Sequence, residues 1–310
     1  MRAIAIDDYT GPPTLHADLP VPQPAEGEIV VRIGASSVNG FDIAVAHGRL
    51  KGVMEHRFPV VLGRDYAGTV ETVGLGVEHL APGDEVLGVV MGSILGQGTF
   101  GEYVAAPAAF AARRPDGLDV ETAGGIGLAA ATALNSLDAA MPSKGETVLI
   151  SGATGGVGAH AVQLAAARGA RVIATAGPGE EAKFVRDLGA SDAVDHHGDL
   201  TAAVRSLSAD GVDAVIHLAG DAVMLAALCK PGGRIASTIG LTAEQTGRDD
   251  IHVTAVMAMP TTATLEQLAA AVVDGTLRVP VQRTYELEAT PQALEDFAGS
   301  KRGKLVIRID

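Results

Sequence analysis

Along the first 118 positions the apolar residues come in short bursts separated by glycine and proline: Arg2 to Ile6, Glu28 to Ala35, Ala67 to Val73, Glu85 to Val90 and Gly101 to Ala105. Short runs of this kind between turn-forming residues predict β-strands, so this part of the chain reads as a β-rich domain. From about Asp119 the pattern alternates. Strand-like Thr147 to Ile150, Arg171 to Thr175, Ala193 to Val194, Ala214 to Leu218 and Arg234 to Thr238 are separated by alanine-rich segments with helical spacing, which predicts a doubly wound parallel sheet of the α/β class. After Pro260 the pattern predicts a helix over Thr264 to Asp274, a strand over Val281 to Leu287, a helix near Pro291 to Ala298 and a final strand over Gly303 to Ile309. The last strand has no place in the parallel sheet and is expected to return to the first domain. The expected division is residues 1–118, completed by 260–310, and residues 119–259.

The first strand of the alternating region runs into a glycine cluster, V-L-I-S-G-A-T-G-G-V-G over Val148 to Gly158, followed by a helical segment and the strand Arg171 to Thr175. Strand, tight turn, helix and second strand in this order make a dinucleotide-binding βαβ unit. A side chain at Gly155 or Gly156 would hold a pyrophosphate away from the helix N-terminus, and Gly158 lets the helix approach the strand. The plain alternative is a Gly-rich turn without a ligand.

Composition narrows the class. A chain of 310 residues with 47% hydrophobic content is long enough for two packed domains. The formal charge of −14 is spread without long acidic runs, which argues against nucleic-acid binding. The single cysteine, Cys229, excludes an internal disulfide and a Cys-x-x-Cys zinc lobe, in keeping with a reducing compartment. The N-terminal residues lack the apolar core of a signal peptide, so a cytoplasmic protein is expected. Val86 to Leu95 and Ile126 to Leu134 are broken by glycines and fall short of the roughly 20 residues that cross a bilayer. His196-His197 reads as a loop pair, with a metal role as its alternative.

The order of these regions, together with the segments Gly34 to Asp42, Phe58 to Gly68, Pro82 to Val86, Gly98 to Tyr103 and the glycine fingerprint, resembles the medium-chain dehydrogenase/reductase superfamily, specifically its zinc-free quinone oxidoreductase branch. The resemblance implies a GroES-like β-rich domain beside a Rossmann domain. In zinc-dependent members a cysteine stands where this chain has Asn39, and Gly-His-Glu stands where it has Gly63-Arg64-Asp65. Near Gly125-Ile126, where a third ligand would come, there is no donor side chain, so no zinc is expected.

The expected cofactor is NADPH, because Thr175-Ala176-Gly177 stands where NAD-specific proteins carry an acidic residue on the ribose. NADH is the alternative, supported by Glu180-Glu181, with Glu181 near the place of a phosphate-binding lysine in relatives. The fingerprint positions Ala153, Thr154, Gly155, Gly156, Val157 and Gly158 are candidate cofactor contacts. The resemblance adds Asn39 and Thr132, and the ends of later strands add Leu218, Ala219, Gly220, Ile239 and Gly240. Thr132 has the alternative of a helix hydroxyl bonded to its own backbone, and Ile239-Gly240 that of a simple turn.

Without zinc, the better acceptors are quinones or α,β-unsaturated carbonyls, whose negative charge spreads onto conjugated oxygen. Candidate catalytic groups are Asn39 and Arg64 as oxyanion donors and Asp42 as an orienting carboxylate. Turn or scaffold roles, including an Arg64 pair with Asp65 or Glu71, are their alternatives. His47 is a proton donor only if it faces the cleft. Ala44 and Leu50 replace tyrosines usual in bacterial relatives, and with 3% aromatic residues the expected apolar lining is Phe41, Met91, Ile94, Phe100 and Met257. The resulting expectation is an NADPH-dependent quinone or enone reductase acting between two domains. The alternative is an NADPH-binding sensor or partner-binding protein with little turnover. Relatives imply a homodimer paired through Ile251 to Val256.

Overall fold

The computed structural model describes residues 1–299 and 301–309; Ser300 and Asp310, both within the expected 260–310 segment, lie outside the described residues. Five parallel pairings build a six-stranded sheet in the order Asp192–Val194, Arg171–Thr175, Thr147–Ser151, Val212–His217, Cys229–Ser237 and His252–Ala255. Strands covered on both faces are apolar throughout, and Thr147–Ser151 is buried at every position. Alternate side chains serve opposite layers: Val148 and Ile150 pack with Ala159, Val162 and Ala165 of the Gly156–Ala167 helix, while Leu149 packs with Ile173, Val215 and Ile235.

The second sheet is mixed. Its path runs Ala111–Arg113, Glu85–Val89, Asp65–Val73, Glu28–Ser37, Lys304–Arg308 and Val281–Glu286, and Tyr103–Pro107 also pairs with Glu28–Ser37. Val306, Ile307 and Arg308 pair antiparallel with Ser37, Ser36 and Ala35, so the last strand is built into the β-rich part, whose first two strands, Ala3–Ile6 and Thr14–His16, form a separate sheet with Val60–Val61. The two sheets share a seam in which Ala67 and Leu87 of the mixed sheet pack with Ile126, Leu134, Leu265 and Leu268. Those side chains come from the Gly127–Ala140 and Thr262–Val273 helices and the residue before the first of them.

Two details depart from the sequence pattern. A seven-residue helix, Gly40–Ala46, interrupts the β-rich part, and the Asp42 carboxylate closes its start by accepting from the Asn39 N–H. The strand expected at Gly101 begins at Tyr103, because Gly101 instead forms a bridge with Ala3. The fingerprint glycine Gly158 is required by packing: a Cβ there would lie 2.2 Å from the Gly152 carbonyl oxygen. Among the described residues no helix is long and apolar enough to cross a membrane.

Candidate active site

The carboxyl ends of the parallel strands carry hydroxyls that hold the loops beyond them. The Ser151 hydroxyl accepts from the Leu218 and Ala219 N–H groups at 3.2 and 3.5 Å, and the Thr175 hydroxyl accepts from Gly152 N–H at 2.9 Å. The Ser237 hydroxyl accepts from Ile239 and Leu241 N–H at 3.3 and 3.4 Å and meets His217 Nδ1 at 3.0 Å. Burial lowers the pKa of His217, keeping the ring neutral in that role. Leu218-Ala219-Gly220 and Ile239-Gly240 are thereby gathered at the sheet edge that also carries the glycine loop. Gly220 and Gly240 both have positive φ.

At the glycine loop, a Cβ on Gly155 would meet nothing closer than the Gly152 oxygen at 3.6 Å, so the helix N-terminus is open there. The Gly155 N–H donates to the Gly152 carbonyl at 3.2 Å, and what the site offers to an anion is the positive end of a twelve-residue helix. Gly156 differs from the expectation drawn for it: a Cβ there would lie 2.7 Å from Lys304 Cδ, so this glycine makes room for the chain's own lysine. Gly303 N–H donates to the Thr154 carbonyl at 2.8 Å, tying the loop to the returning strand.

Lys304 and Asp65 form a buried ion pair at 3.4 Å, 2% and 0% exposed. Asp65 also accepts from Ser37 Oγ (2.6 Å), Asn39 Nδ2 (2.8 Å) and the Leu128 N–H (2.6 Å). The last of these groups belongs to the first turn of the Gly127–Ala140 helix, so a carboxylate from the mixed sheet caps that helix. Lys304 Nζ donates to Asn39 Oδ1 at 2.7 Å and to the Val38 carbonyl at 3.2 Å. Every donor and acceptor of the pair has a partner, which is what makes burial of two charges tolerable. Asn39 Nδ2 donates additionally to the Ser37 carbonyl, so both of its N–H groups and its oxygen are engaged within the protein.

Arg64 and Asp42 stand beside this network. The Arg64 guanidinium lies over the Phe41 ring with Cζ 4.2 Å from its centroid, and Nη1 donates to the Val90 carbonyl at 2.6 Å. It pairs with neither Asp65 nor Glu71. Asp42 accepts from the Asn39 N–H at 2.8 Å, and burial raises its pKa to about 7.

Other candidates fall outside this cluster. Thr132 donates to the Leu128 carbonyl one turn back at 2.6 Å. His47 is exposed at the end of its short helix and bonds the Ile43 carbonyl. Phe100, expected as lining, is wholly buried among Ile4, Leu62 and Tyr66, and Met257 is 80% exposed. Ala176 is buried beside Thr175, and the Gly177 N–H donates to the Glu181 carboxylate at 2.8 Å. Sequence reasoning missed Lys304; its one signal is a lysine at the start of a strand, immediately before the apolar run Leu305 to Ile307. It missed His160 as well. This buried ring bonds the Gly156 carbonyl, and burial lowers its pKa to about 4.

The Asp42 carboxyl sets a pH dependence. The folded chain holds this proton more tightly than the unfolded chain, whose ordinary value is 3.8, so its contribution to stability is fully present below about pH 4 and is lost as pH rises through about 7. Asp42→Asn keeps an oxygen for the Asn39 N–H and removes the titration. Thermal unfolding at pH 5 and pH 8 should show the variant gaining on the wild type at the higher pH; a constant difference would contradict the buried titration.

Comparison with known proteins follows the same division of the chain. The alcohol dehydrogenase GroES-like domain matches residues 25–116 and the zinc-binding dehydrogenase family matches residues 188–307. The quinone oxidoreductase of Lama guanicoe is 30% identical over 326 aligned positions, which take in 99% of this chain and 97% of that protein. The structure of the quinone oxidoreductase from Coxiella burnetii has a TM-score of 0.90 at 28% identity, with 100% of this chain and 99% of that chain covered. A mycobacterial protein solved in complex with NADPH has a TM-score of 0.87 at 28% identity, with 99% of each chain covered. A mixed sheet that holds the Asp65–Lys304 pair beside a parallel sheet with a glycine fingerprint, matched to these proteins along nearly the whole length, shows that the chain belongs to the medium-chain dehydrogenase/reductase superfamily, in its quinone oxidoreductase branch.

Proposed function

We propose that this oxidoreductase passes a hydride from NADPH to a quinone or another α,β-unsaturated carbonyl, without zinc, in the cytoplasm. The observation that carries the reading is the open helix N-terminus at Gly155, tied through Gly303 and Lys304 to the wall formed by Asn39, Asp42 and Arg64. The residues present fit a dinucleotide. The positive end of the helix that begins at Gly156 suits its pyrophosphate, and the loops at Thr175 to Gly177, Leu218 to Gly220 and Ile239-Gly240 suit its length across the strand ends. When bound, the cofactor supplies the hydride itself. The chain's contribution is positioning. Lys304 and Asp65 hold Asn39 in one orientation, Asn39 and Asp42 hold the start of the short helix, and Arg64 offers N–H groups to an acceptor oxygen as negative charge develops there.

The donor set does not fit a catalytic zinc. At the two ligand positions of the zinc-dependent relatives, Asn39 has its amide fully engaged and Arg64 is a cation. The one group of three metal-capable side chains among the described residues is Asp195, His196 and His197, all exposed and in a surface loop. Purified protein should therefore oxidise NADPH with a small quinone or enone at a rate unchanged by chelator. Loss of turnover to chelator would overturn zinc independence. Tight NADPH binding with no turnover across a panel of acceptors would instead favour a sensing role.

No residue from Thr175 to Gly177 is acidic, and Arg302 and His197 line a groove of about 480 Å³ with Gly177, Glu180 and Glu181; these support NADPH, while the Glu181 carboxylate on the Gly177 N–H opposes it. Glu180 lies 3.3 Å from Arg302 and offsets part of its charge. Replacing Glu181→Gln removes a like charge from the neighbourhood of a 2′-phosphate and should tighten NADPH by roughly fivefold with little effect on NADH. Fluorescence titration with both cofactors measures this, and an equal change for the two would remove the groove as the phosphate site.

A homodimer is proposed through the His252–Ala255 strand, which ends the parallel sheet and is largely exposed at His252, Thr254 and Ala255. Sedimentation equilibrium should give twice the mass of one chain. A monomer at micromolar concentration would refute this.

A further inference from the structure

Arg64 is a buried cation that the protein does not neutralise by contact. The residue is 6% exposed, and the single hydrogen bond of its side chain among the described residues is Nη1–H to the Val90 carbonyl. No carboxylate oxygen of the described residues lies within 4.0 Å of it. The nearby Asp42 carboxyl is turned to the Asn39 N–H instead, and burial works against charge on both groups. An arginine placed this deep ordinarily has an acidic partner, since an unpaired buried charge costs several kcal/mol.

The geometry of the free part of the side chain is specific. With Nη1 committed and the guanidinium lying over Phe41, the donors left over are Nε–H and Nη2–H, which form the parallel fork that matches the two oxygens of a carboxylate. Neither nitrogen has an acceptor among the described residues, and neither is sealed from solvent. A neutral ketone or quinone oxygen would use one arm of this fork. A carboxylate would use both and would supply the missing counter-charge.

We propose that Arg64 is the anion-binding group of the acceptor site, and that the preferred acceptors carry a carboxylate close to the conjugated carbonyl. This rests on the reading of the Asn39 to Arg64 wall as the acceptor side of the site. It goes further in naming the substrate class, an acidic enone or quinone, and the residue that selects it. The overall charge of −14 does not oppose this, because solvent ions screen distant surface charges within about 8–10 Å while the guanidinium would be in contact.

The test separates binding from turnover. Calorimetry on the wild type loaded with NADP⁺ would compare the unreactive 4-oxopentanoate with its methyl ester, and rate measurements with NADPH would compare 4-oxopent-2-enoate with its methyl ester. The expected result is tighter binding of the acid than of the ester by roughly tenfold, a difference that disappears in Arg64→Gln and is partly restored in Arg64→Lys. Equal binding of acid and ester by the wild type overturns the proposal without needing any variant, as does an acid preference that survives in Arg64→Gln. Arg64-dependent binding of the acid with no reduction of either enone would uphold the anion site while defeating the reductase reading.

Discussion

The Asp65 carboxylate is the point on which the two halves of this molecule meet. It belongs to a strand of the mixed sheet, caps the first helix that leads into the parallel sheet, and takes the ammonium of a lysine from the far end of the chain. A carboxylate buried this deeply would be untenable alone. Here it receives three neutral N–H or O–H donors and one cation, so the cost of dehydrating it is offset locally and the groups that offset it are fixed in place. Because those groups come from three separate stretches, at Ser37 to Asn39, Leu128 and Lys304, satisfying one charge also sets the placement of the helix and of the closing strand.

That network also changes what Asn39 is for. An asparagine in a cleft wall invites the role of hydrogen-bond donor to a substrate, yet its amide is divided between a lysine, a carboxylate and a backbone carbonyl. Its orientation is dictated by charge: the oxygen must face the ammonium and the nitrogen the carboxylate. The donor capacity left on this wall belongs to Arg64, whose aromatic support and single backbone bond hold it still without consuming its fork. Rigid placement of an unconsumed donor is the form of preorganisation that electrostatic catalysis relies on.

Around the cofactor end, the protein uses short side chains in place of bulk. Ser151, Thr175 and Ser237 each end a strand and hold a loop by its N–H groups. His217 completes the set from beneath, buried and neutral. Through these bonds the three hydroxyls decide where the backbone at the strand ends lies.

The sequence alone determined the two kinds of sheet, the glycine fingerprint and the family, because strand alternation, helix spacing and turn glycines are local properties carried by neighbouring residues. The short helix after Asn39 escaped that reading because seven residues hold too little periodicity, although Asn39 and the Asp42 that caps it are only three positions apart. Lys304 escaped it for a different reason. A lysine in a strand reads as a surface residue until its partner is known, and that partner lies 239 positions away. The same holds for the role of Gly156, which accommodates Lys304, and for Arg64, whose lack of an acidic neighbour is visible only when everything around it is in place. Periodicity is written along the chain, whereas the balance of buried charge depends on groups that only folding brings within a few ångströms, so the chemistry of this site was decided by the tertiary structure.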